Sequence, residues 1–365
     1  MRFRHKSQPD PSLTPVRRRP TIDFSLTGLV YCSMMLFMGL AAMNSQANLL
    51  FGVFGLMIGI LLVSGVISTF VLRGMEVSRA LPEHGVVGQT LTIVYEFNNR
   101  KRFWPSLSVT VAELDGAEAF FKQPHSYLLH AAARQTARVP VELVPKRRGL
   151  HRFDRHQIST SFPFGFIKRA VEHRSKDRLL VFPALGVVDQ KLLSMMQSAE
   201  SSGPMMRPRR GGVDEFYGLK EFRQGENPRY IYWKRSARTG TMVLKEMTHV
   251  SPPRLMLLVD TFVEGERTRE MDRAVEKCLA MAASLASHAL EQNLPVGLFI
   301  WTGEWTAISP NRGKRQRLDI LTALARTPRN NQQTTRELLD GAREFQESGT
   351  TLILFSPHDI QLGLG

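Results

Sequence analysis

Two apolar runs dominate the start of the chain. Residues 24–43 and Asn48–Leu72 contain no Asp, Glu, Lys or Arg, and each reaches the ~20 residues a helix needs to cross a hydrocarbon core. Only Asn44, Ser45, Gln46 and Ala47 separate them, which predicts a tight transmembrane helical hairpin over residues 24–72. A signal peptide fits the first run poorly, because the second follows at once without a small-residue cleavage site. Gly52, Gly55 and Gly59 in the second run suggest close packing of the two helices. Beyond Leu72 the period shortens. Leu91–Asn99, 106–114 and 137–145 alternate apolar and polar positions as half-buried strands do, with 176–185 as a closing strand. Gly88, Pro105, Gly149 and Pro163 punctuate them. The expectation for 73–185 is a small β-sandwich-like domain, with a barrel as the alternative.

The pattern changes again near residue 254. Continuous apolar runs at 254–262, 294–302 and 350–357 alternate with helical periodicity at 268–292, 314–327 and 335–346. This predicts a parallel sheet covered by helices over 251–365. The third run lies close to the last residue, so the expected sheet is small or truncated. The whole is a multidomain α+β chain, with a basic segment at 1–23 and a joining segment at 186–250.

Charge sharpens this picture. The 365 residues carry a net charge of +15, which points to an anionic partner, either membrane lipid or nucleic acid. Arg2, Arg4, Lys6, Arg17, Arg18 and Arg19 precede the first apolar run, Arg73 and Arg79 follow the second, and the turn between them has no Lys or Arg. The positive-inside rule then places both termini in the cytoplasm of a multi-pass membrane protein. Arg17, Arg18, Arg19 and Arg73 flank the membrane and meet anionic headgroups, which makes nucleic acid the weaker alternative. The two cysteines, Cys32 and Cys278, are far apart in sequence and read as free thiols in a reducing compartment. His151 and His156, at odd spacing on a strand, are expected on opposite faces and not as a metal pair.

The densest chemistry lies at 207–248. It contains "EFRQGENPRYIYWKRSART", with acids Asp214, Glu215, Glu221 and Glu226 among arginines and aromatics. Arginine forks pair with carboxylates and stack on rings, so the segment either knits itself together or presents a docking surface. Asp214, Glu215, Glu221, Arg223, Arg229, Trp233, Lys234 and Arg238 are the interaction candidates. Arg229, Trp233 and Arg238 lead them, as residue types that dominate interfaces.

Glu221, Gly225, Arg229, Ile231, Trp233, Lys234, Ser236, Ala237 and Arg238 match a pattern that resembles the bacterial domain-of-unknown-function 58 family. Lys220, Phe222 and Glu226 are near replacements. "RRGLHRFD" and "SFPFGFIKRA" resemble that family's upstream turns, and the two apolar runs fit it too. The resemblance implies a membrane-anchored protein without established catalysis, associated with MoxR-type AAA+ ATPases. It also implies a C-terminal region similar to the von Willebrand factor A fold. That fold's magnesium site needs Asp-x-Ser-x-Ser, a Thr and a later Asp. Asp260 matches, Phe262 and Glu264 replace the serines, Thr334 or Thr335 stands for the threonine, and Pro357 replaces the later acid. The site is degenerate, no cofactor is expected, and Asp260 reads better as a cap on the following turn. The chain has no Walker loop, His-Glu-x-x-His or Gly-x-Ser-x-Gly element. The expected role is a membrane-anchored adaptor or scaffold, not an enzyme. A membrane-tethered nucleic-acid binder and an unrecognised hydrolase are the alternatives.

Overall fold

A computed structural model describes residues 21–45, 47–189, 191, 210–223, 227–248, 254–263, 265, 268–328, 332–345 and 350–358. Arg17, Arg18, Arg19, Gly225, Glu226 and Glu264 lie outside the described residues, as do the side chains of Asp214 and Glu215. The chain divides into two compact units, 1–184 and 185–365.

In the first unit both apolar runs are helices, α1 (Leu26–Ser45) and α2 (Asn48–Leu72). Each is long and apolar enough to cross a membrane, and neither is buried by the rest of the chain. The glycine expectation is corrected by geometry. A Cβ on Gly52, Gly55 or Gly59 would meet nothing within 4 Å, whereas one on Gly39 of α1 would meet the Phe54 ring at 2.9 Å. The close approach between the helices is therefore made from α1.

Two sheets follow. One has three strands in the order β2 (Met75–Ala80), β4 (Leu91–Asn99), β7 (Thr136–Leu143). The other runs β1 (Thr21–Phe24), β9 (Ile167–Phe182), β8 (Gly149–Thr160), β5 (Ser106–Glu113), β6 (His125–Ala131), with β3 (His84–Val86) also on β9. Strict alternation along β4 turns Leu91, Ile93, Tyr95 and Phe97 inward. They share one core with Val109, Val111, Phe153, Ile158, Leu179 and Val181 of the facing sheet. Val71 and Leu72 of α2 enter the same core, so the second apolar helix ends as part of the β-domain.

"RRGLHRFD", expected as a turn, opens the long strand β8 instead. A bulge between Phe153 and Arg155 resets the alternation there. Buried positions fall at Phe153, His156 and Ile158, so odd spacing does not by itself separate His151 from His156. They remain apart in their contacts. His151 Nε2 lies 2.9 Å from the Arg147 carbonyl, while the His156 ring stacks on His173 at 5.7 Å. Among the described residues no cluster of His, Cys, Asp and Glu is arranged to hold a metal.

In the second unit, β12 (Arg254–Val259) lies between β13 (Val296–Trp301) and β15 (Thr350–Phe355), both parallel to it. An additional strand, β14 (Trp305–Asn311), folds back antiparallel on β13. Helix α4 (Arg269–Glu291) links β12 to β13, and α5 (Lys314–Arg326) and α6 (Thr335–Ala342) link β14 to β15. Met256 and Leu258 face α6 through Leu338 and Ala342. Cys278 is buried and free in α4, and Cys32 is free in α1. A separate pair, β10 (Arg210–Glu221) and β11 (Val243–Thr248), forms a two-stranded antiparallel ribbon.

Candidate functional site

The ribbon carries the signature segment between its strands. Asn227 accepts from the Arg229 amide at 3.1 Å and Pro228 opens a short 3-10 turn. The chain then returns to the ribbon, where Ile231 bridges Leu244 and the Tyr232 amide donates to the Val243 carbonyl at 2.8 Å. Helix α3 (Trp233–Thr239) follows and stops at Gly240, whose φ of 72° is the left-handed C-terminal turn that glycine accepts without strain. Ser236 fastens the helix down. Its Oγ accepts from the Val243 amide at 2.9 Å and donates to the Tyr232 carbonyl at 3.1 Å. Ile231, Val243 and Leu244 are buried beneath.

With Ser236 turned inward, helical geometry places Lys234 and Arg238, four residues apart, on the opposite, solvent-facing side. Arg235 widens that face. Lys234, Arg235 and Arg238 are exposed, as is Arg229 just before the helix. None of these four cations has an ion-pair partner among the described residues. Trp233 is 65% exposed and Met242 55% exposed, so an aromatic at the start of α3 and a thioether shortly after it are also open to solvent. Trp233 and Arg238, grouped by sequence, project from different sides of α3, five residues apart. Lys234 and Arg238 are the pair that share a side. Arg235 was not among the sequence candidates. The helical period through "WKRSAR" carries it once Ser236 is known to face in.

The other candidates divide. Glu221 ends β10 opposite Val243 and is exposed. Arg223 is exposed and is engaged by a neighbour. Asp214 and Glu215 lie on β10, with Glu215 paired in register to Thr248. Arg73 is exposed and caps α2, its amide donating to the Thr69 carbonyl at 3.1 Å.

Asp260 sits at the carboxyl end of β12, buried to 3% exposure. One oxygen accepts from the Phe262 amide at 2.9 Å. The other accepts from Thr335 Oγ1 at 2.5 Å and Ser356 Oγ at 3.0 Å. Thr335, at the start of α6, and Ser356, after β15, thus converge on the carboxylate. A hydroxyl that donates to Asp260 puts its proton where a cation would sit. With a single carboxylate present, the described donor set does not fit a magnesium ion. The arrangement ties three strand and helix ends together and caps the turn after β12.

Residues 218–356 match the family model described as "Protein of unknown function DUF58". These residues form a DUF58-like region of the chain. No curated protein matches the chain. The match is narrower than the sequence resemblance, which took in the N-terminal runs. The DUF58 region begins within β10 and ends at Ser356, so it contains α3, its basic face and the Asp260 cluster.

Proposed function

We propose that the protein is a membrane-anchored adaptor whose DUF58 region docks an acidic protein surface through α3. The observation that carries this reading is the exposed face of Lys234, Arg235 and Arg238, which has no ion-pair partner among the described residues, on the same short helix as exposed Trp233. Charged groups that are satisfied at home gain little from a partner, whereas an unpaired basic face with an aromatic neighbour suits electrostatic steering and a rigid anchor. Two apolar helices long enough to span support the membrane anchor, and the charge asymmetry around them supports an inner-membrane location with both termini in the cytoplasm. The partner we propose is a MoxR-type AAA+ ATPase, as the family resemblance implies. Three parallel strands with Asp260, Thr335 and Ser356 converging at their carboxyl ends support a von Willebrand factor A-like reading of the α/β region, without its metal. No catalytic role is assigned to these residues.

Co-purification of the detergent-solubilised full chain with a co-expressed MoxR-type ATPase tests the proposal. Wild type retains the ATPase and Lys234→Glu/Arg238→Glu loses it. Equal retention by both refutes docking through α3, and no retention by either refutes the partner. Salt-sensitive DNA binding by the wild type, lost in the double variant, would assign the same face to nucleic acid instead.

A further inference from the structure

We propose that the β8–β9 loop, residues 161–166, is a lipid-embedded wedge that seats the β-domain in the bilayer, with the β4–β5 loop as a second interfacial anchor. This rests on reading α1 and α2 as membrane spans.

The loop is built into both helices. Phe24 of β1 pairs with Ile167 of β9, and the next residue, Ser25, donates its amide to the Phe166 carbonyl at 3.1 Å. A Cβ on Gly28 would lie 2.1 Å from that carbonyl oxygen, so the loop backbone touches α1 directly. The Phe166 ring stacks on Tyr31 at 4.1 Å, further along the helix. On the other helix, Arg169 donates to Thr69 at 2.7 Å. Ile167 lies 3.6 Å from the Cβ position of Gly65. Strand and helix therefore rise side by side, two strand residues (~6.6 Å) matching four helix residues (~6 Å).

Those contacts set the depth. Counted from Asn48 at 1.5 Å per residue, α2 reaches about 30 Å, the thickness of the hydrocarbon layer, near Ser68. Arg169 beside Thr69 then lies at the border, and Ile167 beside Gly65 lies inside it. The loop continues past Ile167, away from Arg169. Its composition agrees: residues 157–167 contain no Asp, Glu, Lys, Arg or His. Phe164 at its tip is 49% exposed, although water would penalise that area and lipid would not.

The β4–β5 loop ends at the border itself. Lys101 Nζ donates to the Phe70 and Val71 carbonyls at 3.0 and 2.9 Å, closing the C-terminus of α2. Next to it Phe103 is 75% and Trp104 69% exposed, with the Arg102 guanidinium 5.1 Å from the Phe103 ring centroid. Aromatic rings beside basic groups at a span's end are the chemistry of the headgroup layer. A lipid bilayer is the occupant that satisfies an uncharged tip beside the spans and a basic, aromatic rim at their end.

The test uses the full chain carrying Cys32→Ala and Cys278→Ala, with one cysteine at a time bearing an environment-sensitive fluorophore. The sites are Phe164→Cys, Phe103→Cys, Leu56→Cys in α2 and Leu150→Cys at the far end of β8. The protein is reconstituted into phosphatidylcholine–phosphatidylglycerol vesicles containing nitroxide-labelled lipid. Probes at 164, 103 and 56 are expected to lose at least half their emission to the nitroxide, and the probe at 150 to keep its own. Quenching at 56 with positions 164 and 103 as bright as 150 overturns the wedge while the spans stand. Quenching at 103 but not at 164 also overturns it. No quenching at 56 overturns the spans, and the wedge with them. An unquenched, blue-shifted probe at 164 whose shift follows protein concentration assigns the loop to a second copy and refutes lipid.

Discussion

Arg79 of β2 and Glu113 of β5 join the two sheets of the N-terminal unit through a charge pair closed to water, with side chains 3% and 0% exposed. The same guanidinium reaches Asp177 at 2.8 Å, Ser175 and the Phe153 carbonyl. Tyr95 donates to the other Glu113 oxygen at 3.0 Å. Burial pushes the Glu113 carboxyl up, against the opposing pull of Arg79 and Tyr95. Arg79→Met leaves that carboxylate buried without its counter-charge and costs about 3–5 kcal/mol. Replacing both, Arg79→Met with Glu113→Leu, recovers most of the loss. Denaturant midpoints of the detergent-solubilised chain check this. A double variant no better than the single one would show that the pair itself holds the sheets together.

His156 makes stability depend on mild acid. Its ring is buried, neither nitrogen has a hydrogen-bond partner among the described residues, and its pKa is lowered to about 3 by burial, then by Arg79 and His173. In the unfolded chain a histidine titrates near 6.5. Between those values the unfolded state takes up a proton that the folded state refuses. Stability is therefore full above pH ~6.5 and falls as the pH drops toward 3, by at most about 1.4 kcal/mol per unit. Asp115 acts lower. Its hydrogen bond from Arg155 holds the carboxyl below its ordinary value, so its contribution is lost only as the pH falls below the usual carboxylate range. Denaturation from pH 7 to 4.5 covers the histidine's window, where Glu113, raised by burial, works with the opposite sign. His156→Phe flattens the slope there, and an unchanged slope would place its origin elsewhere.

Three glycines in the apolar helices separate close packing from mere composition. At Gly28 a methyl meets backbone oxygen, at Gly39 it meets the Phe54 ring, and at Gly52 it meets nothing within 4 Å. Gly28→Ala forces the loop backbone away and costs about 1–3 kcal/mol, as overpacking does. Gly39→Ala costs less, because an aromatic side chain can shift, and Gly52→Ala is neutral. Thermal midpoints in detergent rank them. Equal midpoints for all three would dissociate α1 from the β8–β9 loop.

Much of this architecture is legible in hydropathy. Uncharged runs mark α1 and α2, strict alternation marks β4 at its observed bounds, and continuous apolar runs mark β12, β13 and β15. What escapes has a physical reason. β8 begins at a glycine among arginines, and its bulge breaks the period at Phe153. β14 exposes alternate residues at a sheet edge, where little burial is demanded of its sequence. β1 is exposed throughout and owes its form to pairing with β9. At the candidate site, residue type points to Arg229, Trp233 and Arg238. Which side of α3 faces solvent depends on the inward turn of Ser236, a tertiary contact with no sequence period of its own.

Ser236 also separates building the α3 face from using it. Its hydroxyl is the acceptor for the Val243 amide and a donor to Tyr232. Ser236→Ala removes both, leaving a largely buried amide unsatisfied at about 1–3 kcal/mol. If α3 opens locally, the Val243 amide should exchange with solvent about ten- to a hundredfold faster. Lys234→Glu and Arg238→Glu change only solvent-facing charge, so they leave that exchange within error of wild type. Hydrogen exchange read by mass spectrometry over 232–244 resolves the two effects. Faster exchange in the charge variants would mean that the basic residues hold α3 in place, and would remove the ground for treating their face as free to dock.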